Sequence, residues 1–257
     1  MVFLCGSLRS GTSLIGLMLD QHPKINNPGE LDFLFDQITH DGQLPDIEKY
    51  QNGLSTDRIF KAKHFHLDDT LNYPDLIRSF IRQLTAQNST LMINIHRCFD
   101  RIPYILPDAK FIHLIRDPRD VARSSIGMGW AGNVYHGVDH WIDSEHDWQQ
   151  LQQKISPNQY LQIRYEDLIL SPKKVLTEIC AFVGVEYHDD MLNYDQHSTY
   201  SKPDLALVAQ WKTKLSSRQL QYVESKVQPL MTEHEYPLSG HQLVRIGTVE
   251  KLKLKIT

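Results

Sequence analysis

The chain has 257 residues, which is enough for one large domain or for a domain with a sub-lobe. Its formal net charge of −4 excludes a global electrostatic attraction to nucleic acid or anionic lipid, so any anion must be held by local charge. No apolar run reaches the roughly 18 residues that a membrane-spanning helix needs. From the charge and from this pattern, neither a nucleic acid nor a membrane is an expected partner.

The first predicted elements are a strand, a loop and a helix. Residues 2–5 form an apolar run, a polar turn follows, and apolar residues then recur at helical spacing up to Asp20. Pro23 marks the end of this helix, since proline just past a helix is a natural stop. A helix that begins after a glycine-containing loop directs unpaired N–H groups and the positive end of its dipole at one point, which attracts an anion.

The loop between this strand and helix has the glycine spacing of a triphosphate-binding P-loop. Gly6 and Gly11 are separated by four residues, as in that motif, but Thr12 stands where the motif has lysine. The basic residue lies earlier, at Arg9. The sequence therefore predicts an anion site that is not built for a triphosphate with magnesium.

Residues 31–90 are predicted to form a helical excursion on the substrate side of the molecule. The segment has mixed polarity with scattered glycine and proline, and its clearest helix covers residues 74–84. Just before it, the turn at 26–29 brings Glu30 to the start of an apolar segment, where we expect it to lie near the anion loop. Insertions of this kind in α/β folds commonly shape substrate clefts.

Three further strands and the remaining helices follow in alternation. The apolar runs at 91–95, 110–115 and 160–164 are typical of strands. The other predicted elements are a helix at 100–107, a helix after 116–120, a loop at 128–137, a helix at 139–153 with a solvated face at 145–153, a helix at 172–183, a loop at 194–204 and a helix at 216–231.

This alternation predicts a single α/β domain over residues 1–240, with a P-loop-type parallel β-sheet flanked by helices. Residues 241–257 alternate basic and apolar side chains, and they are predicted to form a tail or an edge strand.

Chemistry-bearing residues directly follow three of the predicted strands. Arg9 follows the first, His96 the strand at 91–95, and Arg116 the strand at 110–115. Because ligands of open parallel sheets bind at the carboxyl ends of the strands, we expect these groups to form one local anion site. Ser124, on the helix after Arg116, can add a hydroxyl for a second anion. The alternative for residues 116–120 is a salt-bridged turn.

These segments resemble the motifs of sulfotransferases that use 3′-phosphoadenosine 5′-phosphosulfate (PAPS) as the donor. Residues 6–13 are similar to the family's 5′-phosphosulfate loop, and residues 115–125 are similar to its 3′-phosphate motif. Residues 164–168 resemble its strand-end tyrosine motif. Residues 201–203 and 211–214 resemble the cofactor-covering loop and lysine of the tyrosylprotein branch. The resemblance extends in order over most of the chain.

The resemblance implies which residues bind PAPS and its product, adenosine 3′,5′-bisphosphate (PAP), without a metal ion. The residues expected to hold the 5′-phosphosulfate share the first loop and helix start: Arg9, Ser10, Gly11, Thr12 and Ser13. Arg116 and Ser124 would hold the 3′-phosphate together with Tyr165. Lys202 and Lys214 would close over the bound donor.

The resemblance also implies the catalytic groups. Glu30 resembles the general base that follows the first helix in several branches, whereas in the tyrosylprotein branch the base falls one position later, at Leu31. His96 is the rival base. Arg9, which would hold the 5′-phosphosulfate, is also expected to be a catalytic residue. Many members carry a lysine after the second core strand, and His96 and Arg97 occupy that region here.

The predicted reaction is transfer of a sulfuryl group from PAPS to a hydroxyl of tyrosine in a polypeptide, of a carbohydrate, or of a small alcohol or phenol. This transfer needs a base for the acceptor and positive charge for the leaving phosphate, and a sulfate carries less charge than a triphosphate, so magnesium is not required. One alternative is a P-loop nucleoside or metabolite kinase with Asp117 as a metal-binding carboxylate. The other is a non-catalytic adenine-nucleotide-binding module. The missing lysine after Gly11 argues against the kinase.

The cysteines and the N-terminal segment lead us to expect a cytoplasmic location. Cys5, Cys98 and Cys180 lie far apart and are odd in number, which favours reduced thiols over a disulfide framework. The first residues lack the basic region and cleavage site of a signal peptide. No pattern in the sequence indicates an oligomeric state.

Overall fold

The computed structural model describes residues 1–86, 89–196 and 198–247, and a five-stranded parallel sheet lies at its centre. In the spatial order β2-β3-β1-β4-β5, the sheet contains these strands: β1 (Val2–Cys5), β2 (Ile25–Asn26), β3 (Thr90–Ile95), β4 (Lys110–Ile115) and β5 (Tyr160–Arg164). β1 is central, since Val2 pairs with Met92 on one side and with Lys110 on the other. The predicted parallel α/β sheet is confirmed, and β4 and β5 have the predicted bounds.

Helices flank this sheet. The α-helices are α1 (Thr12–Asp20), α2 (Ile47–Leu54), α3 (Arg58–Lys63), α4 (Tyr73–Leu84), α5 (Pro118–Gly127), α6 (Val134–Gly137), α7 (Asp139–Gln152), α8 (Tyr165–Leu170), α9 (Pro172–Val183), α10 (Trp211–Lys214) and α11 (Ser217–Glu233). Short 3₁₀ helices cover Asp32–Leu34, Phe99–Tyr104, Pro157–Gln159, Asp189–Gln196 and Leu205–Leu207. Across the described ranges, no helix combines the length and the apolar character that crossing a membrane requires.

Alternate residues of the central strands pack on opposite faces of the sheet, as a strand period of two requires. On one face, Phe3 and Phe111 stack with their ring centroids 6.0 Å apart and pack against apolar residues of α2, α4 and α7. On the other face, Leu4 and Ile112 pack against α1, α8 and α9. Both faces are therefore covered, and the carboxyl edge of the sheet carries the loops that follow the strands.

The segment 31–90 packs as helices against the first of these faces. Its longest helix, α4, begins one residue before the predicted start, because the Asn72 side chain caps it by accepting a hydrogen bond from the Asp75 N–H at 3.0 Å. The hydroxyl of Tyr50 donates a hydrogen bond to the carbonyl of Phe33, and the hydroxyl of Tyr73 donates one to the carbonyl of Leu34. These bonds fix the backbone three and four residues after Glu30.

Two predicted loops contain helical turns. Within 128–137, the Asn133 side chain accepts a hydrogen bond from the His136 N–H at 3.1 Å and begins α6. A Cβ on Gly137 would lie 2.6 Å from the Ala122 carbonyl oxygen, so α6 and α5 pack too closely for any larger residue. The predicted loop at 194–204 begins inside the 3₁₀ helix Asp189–Gln196, which the sequence analysis did not identify.

The predicted solvated face at 145–153 is wrong at three positions, while His146 and Gln153 are exposed. Glu145, Trp148 and Leu151 are buried, because α7 lies between the sheet and α11. Trp141 is also fully buried. The polar residues of this helix misled the prediction, since the partners that neutralise Glu145 come from distant parts of the chain.

Residues 241–247 contain no strand. This stretch runs along α11 instead: Gln221 donates to the carbonyl of Gln242 at 3.1 Å, and the N–H of Val244 donates to Ser225 Oγ at 2.8 Å. The rest of the predicted tail, residues 248–257, lies outside the described residues. The domain limit at residue 240 stays a prediction.

Candidate active site

The loop between β1 and α1 requires glycine at both ends. Gly11 has a φ of +100°, and a Cβ there would lie 2.4 Å from Cδ2 of Tyr165. A Cβ on Gly6 would lie 2.5 Å from the carbonyl oxygen of Leu114. Both separations are far below van der Waals contact, so only glycine lets this loop pass so close to β4 and to the start of α8.

Arg9 lies at the turn of this loop. Its φ is +70°, in the left-handed region, which costs a non-glycine residue roughly 1–2 kcal/mol. In this conformation its Nε donates a hydrogen bond to Oγ of Ser124 at 2.9 Å. Within the described part of the chain, no side chain caps α1, so its first N–H groups remain available to a ligand. The loop arginine and the α5 hydroxyl thus meet where the helix dipole is positive.

A cavity of about 490 Å³ opens at this point, and we call it the anion cavity. It is bounded by the loop before α1, by α5, by the start of α8 and by the segment before α10. Among the described residues, four cationic side chains line it, namely Arg9, Arg116, Arg123 and Lys202, against the single carboxylate of Asp204. This excess of positive charge is local, as the net charge of −4 requires.

Arg116 lies in the wall of the anion cavity and is only 8% exposed. It donates hydrogen bonds to the carbonyls of Arg9, at 3.0 Å, and of Leu207, at 3.2 Å. Its guanidinium carbon lies 4.1 Å from the ring centroid of Tyr165. Its Nε is buried and has no hydrogen-bond partner among the described residues. Because an unpaired buried donor is costly, this atom marks a place for an anionic ligand.

The other residues predicted to hold the donor divide into two groups. Thr12, Ser13 and Lys202 line the anion cavity. Ser10 is buried, and its hydroxyl lies 2.8 Å from the hydroxyl of Ser7 in the same loop. Its side chain therefore supports the loop rather than lining the cavity. Lys214 ends α10, is exposed and is absent from the cavity lining in the described chain.

Arg123 is a lining residue that the sequence analysis did not identify. It lies on α5 one position before Ser124, and one of its guanidinium nitrogens donates to the side chain of Gln210. Its Nε is buried without a partner among the described residues. The only sequence signal was its place beside Ser124 on the helix that follows Arg116.

A second cavity of about 490 Å³ lies next to the first, and we call it the adjacent cavity. Ser13 and Tyr200 line both cavities, so the two share a wall. Glu30 lines the adjacent cavity with its side chain 40% exposed, together with Asp20 and Arg58. The adjacent cavity therefore places the carboxylate of Glu30 next to the anion cavity.

His96 lies beside Thr12 of the anion cavity and Glu30 of the adjacent cavity. Its Nε2 is 2.9 Å from Oγ1 of Thr12 and 3.8 Å from Oε1 of Glu30, and its side chain is 2% exposed. The two rival bases predicted from the sequence are thus within ion-pair distance of one another. Glu30 lines the adjacent cavity, whereas His96 lines neither cavity in the described ranges, so Glu30 is better placed to meet an acceptor.

Asp32 is a second residue that the sequence analysis missed. Its Oδ1 accepts the backbone N–H of His96 at 2.6 Å, and its Oδ2 lies 3.2 Å from Nδ1 of the same histidine and 3.6 Å from Arg97. Burial alone would raise the pKa of Asp32, but the hydrogen bonds from His96 and the charge of Arg97 more than offset it, and the pKa lies below its ordinary value. The only signal in the sequence that could have identified Asp32 was its position two residues after Glu30.

Asp117, the carboxylate that the kinase alternative requires, is already bound. Its Oδ1 accepts the backbone N–H and the Nε of Arg119, both at 2.9 Å, and its Oδ2 accepts a second guanidinium nitrogen at 2.7 Å. Arg119 also pairs with Glu224 of α11 at 2.7 Å. This buried network uses Asp117 to begin α5 and to join it to α11, so the carboxylate is not free to hold a metal ion.

Comparisons with known proteins agree with this geometry. The sequence matches the model of the sulfotransferase family over residues 2–189. It is 26% identical over 212 residues to a putative protein-tyrosine sulfotransferase of Caenorhabditis briggsae, covering 76% of this chain and 69% of the relative.

Solved structures share the fold. The sulfotransferase domain from the curacin biosynthetic pathway is similar with a TM-score of 0.70 at 20% identity, covering 93% of this chain and 98% of the domain. Mouse sulfotransferase SULT7A1 complexed with PAP is similar with a TM-score of 0.54 at 16% identity, covering 99% of this chain and 87% of the mouse chain.

Proposed function

This chain belongs to the sulfotransferase family, and we propose that it transfers the sulfuryl group of PAPS to an acceptor hydroxyl with Glu30 as the general base. The observation that supports this most directly is the anion cavity, where Arg9 contacts Ser124 and the buried Nε of Arg116 has no partner in the described chain. A ligand with two anionic groups satisfies both arginines. The complex of mouse SULT7A1 with PAP adds support, since that structure has the same fold.

In the proposed complex, the loop before α1 holds the 5′ end of the donor. The N–H groups at the start of α1 and the guanidinium of Arg9 face that end, while Arg116, Ser124 and Tyr165 hold the 3′-phosphate. PAPS supplies an activated sulfuryl group when it is bound. The arginines supply the positive charge that the leaving phosphate needs, so the proposal involves no metal ion.

Glu30 takes the proton of the acceptor hydroxyl. It lies in the adjacent cavity, which shares Ser13 and Tyr200 with the anion cavity, so in the proposed complex an acceptor beside Glu30 meets the transferred group where the two cavities adjoin. Positioning of the two molecules and stabilisation of the leaving group account for most of the rate in transfers of this type.

The acceptor is a hydroxyl compound, and three classes are candidates: tyrosine in a polypeptide, a carbohydrate, and a small alcohol or phenol. The C. briggsae relative carries a name that points to protein tyrosine. A screen of the three classes with PAPS labelled in its sulfuryl group identifies the class by the labelled product. The cytoplasmic location expected from the sequence stays a prediction.

A nucleotide titration tests the donor. We expect PAP to bind with the same affinity with and without magnesium, and ATP to bind more weakly in both conditions, because the anion cavity supplies arginines rather than the P-loop lysine and a metal-binding carboxylate. A preference for magnesium-ATP would contradict the proposal and restore the kinase. Tight PAP binding without transfer to any acceptor class would favour the non-catalytic nucleotide-binding module.

Arg116→Ala is expected to weaken PAP binding by about 1.5–3 kcal/mol, which is about 10- to 150-fold in Kd, because it removes a charged hydrogen-bond donor from the cavity wall. Isothermal titration with PAP measures the change. The control is Arg82→Ala, which removes an exposed arginine of α4 that lines neither cavity among the described residues. This variant should bind PAP with the affinity of the parent. Equal affinities for the two variants would refute the role of Arg116.

A further inference from the structure

The Asp32 carboxylate contacts His96 at two points, and both side chains of this pair are buried. One oxygen accepts the backbone N–H of His96 at 2.6 Å and the other lies 3.2 Å from its ring Nδ1. The side chains of Asp32 and His96 are 6% and 2% exposed. Both the ring plane and the backbone of His96 are thereby fixed from one carboxylate.

The geometry determines which ring nitrogen carries the proton. An ionised carboxylate only accepts hydrogen bonds, so Nδ1 of His96 must be the protonated nitrogen that donates to Asp32. When the ring is neutral, Nε2 is unprotonated and accepts a hydrogen bond from Oγ1 of Thr12, 2.9 Å away. Glu30 Oε1 lies on the same side, 3.8 Å from Nε2.

We propose that Asp32 is a positioning residue, which holds His96 with Nε2 facing Thr12 and Glu30 so that His96 receives the acceptor proton from Glu30. This inference rests on the proposed sulfuryl transfer and extends it to a carboxylate and a histidine that lie outside both cavities. Asp32 itself never contacts the reacting groups. It acts through His96, whose backbone N–H and ring Nδ1–H it accepts.

The proton and the leaving group are coupled through Thr12. The Thr12 hydroxyl turns away from Nε2 and Glu30 closes on it from 3.8 Å. The acceptor O–H bond breaks and its proton passes by way of Glu30 to the lone pair that Nε2 then has free, while the acceptor oxygen forms a bond to sulfur. The bond from sulfur to the bridging phosphate oxygen breaks, and its electron pair stays on the phosphate of PAP. Once Nε2 is protonated it donates to Thr12, so the threonine hydroxyl is free to donate into the anion cavity that it lines. A hydroxyl thus replaces the lysine that many members carry after the second core strand.

Asp32→Asn tests this role with a nearly isosteric side chain. We expect kcat to fall at least about 10- to 100-fold, the range seen when carboxylates that orient metal-bound histidines are removed, with the Kd for PAP unchanged. Asp36→Asn is the matched control: Asp36 pairs with the same Arg97, at 2.8 Å, but does not contact His96 among the described contacts. The control should keep full turnover. Equal turnover of the two variants would overturn the proposal.

Two further measurements separate positioning from a structural role. In the His96→Gln background, Asp32→Asn should cause no additional loss of kcat, because its effect is transmitted through the histidine, and additive losses would overturn the proposal. Nitrogen-15 chemical shifts of His96 in the unmodified protein should show Nδ1–H, and Nε2–H would also overturn it. Failure to bind PAP in every variant and in the parent would instead contradict the sulfotransferase proposal itself.

Discussion

Glu30→Gln is expected to lower kcat by about 100- to 10,000-fold while the Kd for PAP stays unchanged, because glutamine fills the same space but cannot accept a proton. Glu30 lines the adjacent cavity and not the anion cavity, so its charge does not contribute to donor binding. The loss should therefore fall on the chemical step. Single-turnover transfer of the labelled sulfuryl group, at saturating PAPS and acceptor, measures it directly.

Asp20→Asn is the control for Glu30→Gln. Asp20 lines the same cavity and carries the same charge, but it is exposed at the end of α1, where its carboxylate accepts the N–H of Asn27 at 2.9 Å. Its loss should alter turnover several-fold at most. If Glu30→Gln turns over like this control, Glu30 is not the base, and His96 becomes the first candidate to replace it.

The central strands could be predicted from the sequence because parallel strands buried on both faces are continuous apolar runs. β1 was predicted to the residue for this reason, since all four of its residues are buried. The edge strand β5 has only one buried residue, so this reason does not apply to it. β2 was missed because it has only two residues, Ile25 and Asn26, and exists through its pairing with Thr90 and Leu91. No local pattern distinguishes such a strand from a loop.

The anion cavity was predictable where a motif encodes it. Arg9 and Ser124 are separated by 115 positions along the chain, yet they meet because β1 and β4 are neighbours in the sheet, and each is followed by its own motif. Asp32 was not predictable in the same way. Its role depends on the backbone of His96, 64 positions later, and in the sequence it is only a carboxylate within an apolar segment.

The same limit applies to Glu145, which the polar pattern of α7 placed in solvent. In the structure it is fully enclosed between two histidines, with Nε2 of His113 at 3.3 Å from Oε1 and Nε2 of His234 at 2.9 Å from Oε2. His113 belongs to β4 and stacks on Trp148, while His234 follows α11. The cluster connects β4 of the sheet to α11, so we expect its removal to lower the free energy of unfolding.

Glu145→Gln is expected to lower the free energy of unfolding at pH 7 by about 3 kcal/mol. Burial alone would raise the pKa of Glu145, but His113 and His234 more than offset it and lower the pKa from its ordinary 4.5 to about 2. A carboxyl whose pKa is lower in the folded state adds stability that is present above about pH 4.5 and is lost as the pH falls toward 2. The deficit of the variant should therefore shrink to about half or less at pH 3.

Urea unfolding of the parent and of Glu145→Gln at pH 7 and pH 3 measures this difference, with matched slopes establishing that the same surface is exposed. Asp143→Asn, on an exposed position of the same helix, is the control and should change the free energy by no more than about 0.5 kcal/mol at either pH. A deficit that is equally large at both pH values would mean that the shape of the side chain matters there. The charge held between His113 and His234 would then contribute nothing to the joint between β4 and α11.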